Sequence, residues 1–268
     1  MDKISRVLVT GATGNVGKAV LDKINTASID LYAGVRDIQR AKSYLNGQSY
    51  RFCTVDFEKG QYPEIDFDAV FLVRPPQLTS PKIFETFLKS LKPQTKVVFL
   101  SVQGADRRSY LPHAKIEKLI VTLGYTHVFI RPSYFMENLT TTLWDELLHH
   151  QRIYLPAGDL ALNWIAISDI AEVAAIALKQ DLNCESIEVH NNITLNFKQV
   201  VDKINTICGT HISYESPSVI SYIVYCLKQR KRISYIFIML LLHYLPKFSK
   251  SNVNPITNDF TDITGKPP

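Results

Sequence analysis

The chain of 268 residues, 46% of them hydrophobic, suits one large α/β domain or a nucleotide-binding domain with a small attached lobe. Its net charge of +5 and pI near 8.9 are only mildly basic and come with no dense patch or known motif, which argues against nucleic acid as a partner. Cys53, Cys184, Cys208 and Cys226 show neither a C-x-x-C pair nor metal-ligand spacing, so they read as reduced, mostly buried thiols of a cytoplasmic protein, and a strand starting this close to Met1 leaves no room for a signal peptide.

The first apolar run, Val7-Leu8-Val9, leads into Thr10-Gly11-Ala12-Thr13-Gly14-Asn15-Val16-Gly17. Helical spacing follows at Val16, Val20, Leu21 and Ile24. Strand, glycine turn and helix in that order make a dinucleotide-binding signal. Gly11 lets the chain leave the strand in a tight turn, Gly14 lets a pyrophosphate approach the backbone, and Gly17 lets the helix lie close to the sheet. Thr13, Asn15 and Val16 then sit where N–H groups and the positive end of the helix dipole meet an anion.

A second strand over Asp30 to Val35 ends in Arg36-Asp37. A guanidinium there fits a ribose 2′-phosphate and favours NADP, while NAD stays open if Asp37 turns inward. A second helix is expected over Ile38 to Leu45 and a third strand over Tyr50 to Val55, ending at Asp56-Phe57. The fully apolar run Ala69 to Val73 reads as a central parallel strand, stopped by Arg74-Pro75-Pro76 at the carboxyl edge where ligands bind. Val73 and Arg74 are therefore cofactor-edge candidates, with Arg74 facing a phosphate, a substrate or solvent. Ser80-Pro81 starts a helix, and Val97 to Leu100 is a fifth strand ending at Ser101.

The spacing G-x-x-G-x-x-G resembles the atypical short-chain dehydrogenase/reductase superfamily. His113-Ala114-Lys115-Ile116-Glu117 and the block Val128-Phe129-Ile130-Arg131-Pro132 followed by Phe135-Met136-Glu137-Asn138 resemble its NmrA-like branch, which includes quinone reductases and redox sensors. The resemblance implies that Asp56 and Phe57 border the adenine, although a turn aspartate is an equally good reading of Asp56. It implies that Pro132 and Phe135 pass the nicotinamide, although an aromatic at that spacing also suits plain core. It places a catalytic serine near Ser101, but the Tyr-x-x-x-Lys dyad is missing, since Tyr110 and Lys115 are five apart.

His113 stands where that tyrosine would be, with Ser101 and Tyr110 as hydrogen-bond partners. It reads either as a proton donor or as a helix-start histidine facing water. Ser168 and Asp169 complement the start of a later helix, Ile187 to Val189 is read as the last strand, and Asn196 caps a helix ending near Cys208-Gly209. Gly265-Lys266-Pro267-Pro268 also resembles the family.

The expected architecture is a Rossmann-type, doubly wound, mostly parallel sheet. Residues 1–190 form the NAD(P)-binding domain, with 133–162 contributing to the cleft, and 191–268 form a small, largely helical substrate lobe. Two functions follow from different features. One is NADPH-dependent hydride transfer to a small electrophile such as a quinone. The other, suggested by the missing dyad, is a non-catalytic redox sensor acting on a protein partner. Ile233 to Leu245 would span only about 20 Å as a helix, too short for a bilayer core of roughly 30 Å. With Lys228 to Arg232 before it, a buried helix behind a solvated basic loop is the expectation, and a peripheral anchor the alternative.

Overall fold

The computed structural model describes residues 4–24, 26–45, 49–245 and 256–268. Along the chain the strands are β1 (Arg6–Thr10), β2 (Asp30–Val35), β3 (Arg51–Thr54), β4 (Ala69–Val73), β5 (Lys96–Leu100), β6 (His127–Pro132), β7 (Tyr134–Phe135), β8 (Arg152–Tyr154), β9 (Ala161–Ile165), β10 (Ser186–Val189), β11 (Thr194–Asn196) and β12 (Ser213–Glu215). The helices are α1 (Asn15–Lys23), α2 (Ile38–Lys42), α3 (Pro81–Ser90), α4 (Pro112–Thr122), α5 (Trp144–His150), α6 (Ile167–Lys179), α7 (Phe197–Cys208), α8 (Val219–Lys228), α9 (Ile233–His243) and α10 (Asp259–Thr264).

Two compact units emerge. The first comprises residues 1–133, 165–190 and 257–268, the second residues 134–164 and 191–256. The division differs from one cut at residue 190, because the chain passes from one unit to the other repeatedly. Residues 257–268 return to the first unit through α10, where Asp259 accepts a hydrogen bond from the Glu188 amide at 2.8 Å and Phe260 is buried.

The first unit is a seven-stranded sheet in the order β10-β6-β5-β4-β1-β2-β3, parallel throughout. Its central strands are apolar on both faces because helices cover both, and Val7, Leu8, Val9 and Ala69 to Leu72 are fully buried. One core cluster gathers Phe57, Phe84, Phe87, Phe99, Ile116 and Ile120, each worth roughly 1.5–3 kcal/mol of burial. The strand order reverses between β1 and β4, so their carboxyl ends border the crevice where such folds take ligands. Thr10 ties these ends together: its buried hydroxyl donates to the Phe71 carbonyl at 3.1 Å and accepts from the Val73 amide at 2.9 Å.

The second unit has a three-stranded sheet, β11-β9-β7, and a two-stranded parallel ladder, β12-β8, with α5, α7, α8 and α9. As expected, Asn196 caps α7, and its partner Gln199 completes a reciprocal capping box ending at Gly209. The core of this unit is aromatic, with Tyr134, Trp164 and Phe197 in edge-to-face contact. His243 is buried among them. Its Nδ1 faces the Met239 carbonyl at 2.9 Å and must carry the proton, so Nε2 accepts from the Tyr134 hydroxyl, also at 2.9 Å. Burial pushes this imidazole down to about 4.

Candidate cofactor and active site

The glycine turn is built as its sequence demands. Gly11 has φ +61°, the left-handed region that glycine occupies without strain. Gly14 is the N-cap of α1, and among the described residues no side chain caps the helix. Its first-turn N–H groups are therefore open to an anion. A Cβ on Gly14 would lie 3.2 Å from the Gly11 carbonyl oxygen, whereas one on Gly17 would lie 2.3 Å from it. Gly17 is thus required for closing the turn on itself, a tighter role than spacing a helix from a sheet. Val73, at the end of β4, stands against Gly11. Of the residues expected to meet phosphate, Thr13 and Asn15 are exposed and Val16 is buried.

At the carboxyl ends of β2 and β3 the candidates differ in what they touch. Arg36 is exposed, with only a loose ion pair to Glu58 at 3.8 Å. Asp37 is the N-cap of α2, accepting from the Arg40 amide at 2.9 Å, so its carboxylate is turned to its own helix. Asp56 is buried and folds a turn: its Oδ1 accepts from the Glu58 and Lys59 amides at 3.0 and 3.1 Å. Phe57 packs into the core, its centroid 5.1 Å from Phe84 and 5.3 Å from Phe87.

At the carboxyl edge of β4 and β5, Arg74 does not point to solvent. Its Nη1 donates to the carbonyls of Pro75, Pro76 and Leu78 at 3.1, 2.9 and 3.0 Å, and its Nε donates to Nε2 of His113 at 3.3 Å. His113 is the second residue of α4 and lies beside the Phe99 ring. Burial, with the guanidinium adding to it, pushes its imidazole down to about 3. The residue is therefore neither a water-facing histidine nor an imidazolium at neutral pH, and Nδ1 carries its proton.

Ser101 is not its partner. The Ser101 hydroxyl donates to Oε1 of Glu117 at 2.5 Å. Arg131 grips the same carboxylate with two hydrogen bonds, Nε to Oε1 at 3.0 Å and Nη2 to Oε2 at 2.8 Å. Its Nη1 lies 3.8 Å from Glu188, whose carboxyl burial pushes up to about 7. Tyr110 is 66% exposed and takes no part in this network.

Among the described residues, two buried polar atoms at this edge have no hydrogen-bond partner: Nε2 of Gln103, just after β5, and Oγ of Ser133, just after β6. The Gln103 amide donates to the Pro132 carbonyl at 3.0 Å, which brings the two residues near each other. Buried orphans of this kind cost free energy unless a ligand satisfies them.

No family model matches the chain. Over 218 residues it is 30% identical to the prestalk A differentiation protein A of Dictyostelium discoideum, covering 78% of this chain and 71% of that protein. The chain belongs to the NmrA-like family of atypical short-chain dehydrogenases/reductases. Solved structures of similar fold include the triphenylmethane reductase of Citrobacter sp. complexed with NADP(H), with a TM-score of 0.79 at 16% identity over 98% of this chain and 96% of that one. Another is an NADPH-dependent quinone oxidoreductase of Escherichia coli complexed with NADPH, with a TM-score of 0.77 at 17% identity over 97% and 95%. At such identities these likenesses carry the fold.

The NmrA-like segments now acquire physical roles. Glu117 of the His113-x-x-x-Glu117 pattern and Arg131 of Arg131-Pro132 are one buried ion pair, a link the sequence signalled by the two motifs without showing that they meet. Pro132 ends β6 and is buried. Phe135 lies in β7 of the second unit. Sequence reasoning passed over Thr10, Gln103 and Ser133, small polar residues whose meaning depends on what surrounds them. Helix α6 starts at Ile167 with Ala166 as N-cap, so Ser168 and Asp169 lie inside its first turn, where the Asp169 carboxylate complements the helix start.

Proposed function

We propose that the protein binds NADPH along the carboxyl edge of β1, β2, β4 and β5 and reduces a small electrophile such as a quinone. The observation that carries the reading is the uncapped start of α1 behind the Gly11–Gly17 turn, a cradle that a Cβ on either Gly14 or Gly17 would narrow. Arg36, exposed and loosely paired with Glu58, would meet the 2′-phosphate, and Asp37, committed to capping α2, would not offer its carboxylate to the ribose of NAD. Gln103 and Ser133 would satisfy their orphaned atoms on the nicotinamide end.

When bound, the cofactor supplies a hydride. The residues' share is positioning. His113, fixed in one tautomer by Arg74, would offer Nδ1–H as a neutral donor to a substrate oxygen. The proton that completes reduction comes from solvent, which suits a quinone because the reduced oxygens are weak bases. Ketone reduction would require the tyrosine–lysine dyad that is missing here.

Titration of the purified chain with NADPH and NADH, followed by turnover with quinones, dyes and aldehydes, tests the reading. Tighter NADPH binding, lost in Arg36→Ala, together with quinone-dependent oxidation supports it. A charge-assisted contact of roughly 1.5–3 kcal/mol corresponds to about a ten- to hundredfold preference. Equal affinities refute the Arg36 assignment. Tight NADPH binding with no acceptor turned over would instead support the sensor function, for which a histidine held neutral is no handicap.

A further inference from the structure

Helices α8 and α9 turn one face inward and leave another exposed among the described residues. Tyr222, Cys226, Ile236, Met239 and His243 join the core of the second unit. On α8 the exposed residues Ile220, Val224 and Leu227 follow helical spacing, with Lys228 next on the same face. On α9, Ile233 is 78% and Phe237 63% exposed, and Ile238 and Leu242 are exposed with them. This differs from the buried helix expected for the stretch. Scattered exposed apolar side chains need no explanation, but two adjoining helices that between them expose seven large apolar side chains mark a contact surface.

Charge decides what the surface fits. No Asp or Glu occurs between Glu215 and Asp259, while Lys228, Arg230, Lys231 and Arg232 cluster at the turn joining the helices. Lys231 is engaged, 3.2 Å from Asp145. Lys228, Arg230 and Arg232 are exposed and carry no ion pair among the described residues. An apolar face flanked by these three cations, with no acid on either helix, matches a surface whose headgroups are anionic and whose interior is hydrocarbon. Two copies meeting through the face would bring like charges together instead. Among the described residues no helix is long and apolar enough to cross a membrane, so the contact would lie in the interface plane.

We propose that the α8–α9 face docks the protein onto an anionic lipid bilayer, with Phe237 and its apolar neighbours at the headgroup–acyl boundary and Lys228, Arg230 and Arg232 on lipid phosphates. Co-sedimentation of the full chain with vesicles of phosphatidylcholine alone, or mixed with phosphatidylserine, tests this. Binding to the mixed vesicles should exceed that to phosphatidylcholine by at least about tenfold and weaken as salt rises. A Phe237→Ser/Ile238→Ser variant should lose most binding, and a Lys228→Ala/Arg230→Ala/Arg232→Ala variant should lose the preference for phosphatidylserine. Both should keep the parent's circular dichroism and melting temperature, since the substituted side chains face outward. The proposal is overturned if neither vesicle binds, if both folded variants bind like the parent, or if the protein is a dimer that Phe237→Ser dissolves and no vesicle captures.

Discussion

Arg74 donates its Nε–H to Nε2 of His113 at 3.3 Å while its Nη1 holds three carbonyls of the loop after β4. A guanidinium cannot accept, so a proton on Nε2 would face another proton. The histidine should therefore stay neutral: NMR titration should show no protonation of His113 between pH 8 and 5, and turnover should show no ionisation near 6.5 belonging to it. In His113→Ala, turnover should fall roughly ten- to hundredfold for loss of one positioned donor, with NADPH affinity changed only a few-fold. Arg74→Ala should cost about 2–4 kcal/mol, because it strands several acceptors at once. A His113 that titrates near 6.5 in the parent protein contradicts this geometry.

Gly17 and Gly14 should respond differently to the same methyl group. In Gly17→Ala the Cβ meets a backbone oxygen at 2.3 Å, which cannot move without opening the turn. Loss of several kcal/mol in chemical denaturation, or failure to fold, is expected. In Gly14→Ala the contact is 3.2 Å, and the N-cap residue has φ −82°, which alanine adopts freely. That variant should fold with nearly the parent's stability and lose dinucleotide affinity measured by calorimetry. Equal stability of the two variants would show that Gly17 does not close the turn.

The Glu117–Arg131 pair gives a third test. Both side chains are about nine-tenths buried or close to it, and each is the other's principal partner. Removing one strands a buried charge, so Arg131→Ala or Glu117→Ala should cost roughly 3–5 kcal/mol. Ser101→Ala removes one hydrogen bond and should cost about 1–2 kcal/mol, with turnover close to the parent's. A loss of turnover of a hundredfold or more in a stable Ser101→Ala variant would restore the catalytic role that its place after β5 suggests.

Stability should depend on pH from both sides. Glu188 has its carboxyl pushed up to about 7 by burial, with Asp106 and Asp259 adding and Arg131 opposing. The folded chain then binds more protons than the unfolded chain between about 4.5 and 7, so stability declines as pH rises through that window. His243 works oppositely. Its folded value near 4 lies below the ordinary 6.5, so stability declines as pH falls from 6.5 toward 4. Glu188→Gln should flatten the first slope, worth on the order of 2–3 kcal/mol, in denaturation midpoints followed across pH 5 to 8. An unchanged slope would show that Glu188 ionises normally.

The sheet was legible because its signals are local. Val7-Leu8-Val9 and Ala69 to Val73 are buried on both faces and say so in composition, and the glycine spacing fixes its own turn. The short strands of the second unit, β8, β11 and β12, were not read, since three residues show too little alternation to stand out from loop, and β9 showed only at its end, where Trp164 to Ile167 reads as a strand. In the site, the side-chain partners were not legible. Arg74 and Ser101 sit where a ligand was expected but serve His113 and Glu117, because hydrogen-bond partners thirty-nine and sixteen residues away leave no periodic trace. Phe57 shows the same limit of local signals: an aromatic beside a turn looks the same whether it faces a base or packs on Phe84.

The repeated crossing between units has a consequence for how the molecule is made. The outer strand β10 and the helix α10 that lies on it are synthesised after residues 134–164 have entered the other unit. Neither body can therefore be finished while the other is still missing its later half. Pairings such as β10 with β6, from Ser186 onto Phe129, span more than fifty residues and close only late, and such long loops slow folding. Until then the growing chain carries β6 with one edge unpaired, the state most open to aggregation. Slow refolding that speeds up little on stabilising the glycine turn, and nascent chains that become protease-resistant only near full length, are what this threading dictates.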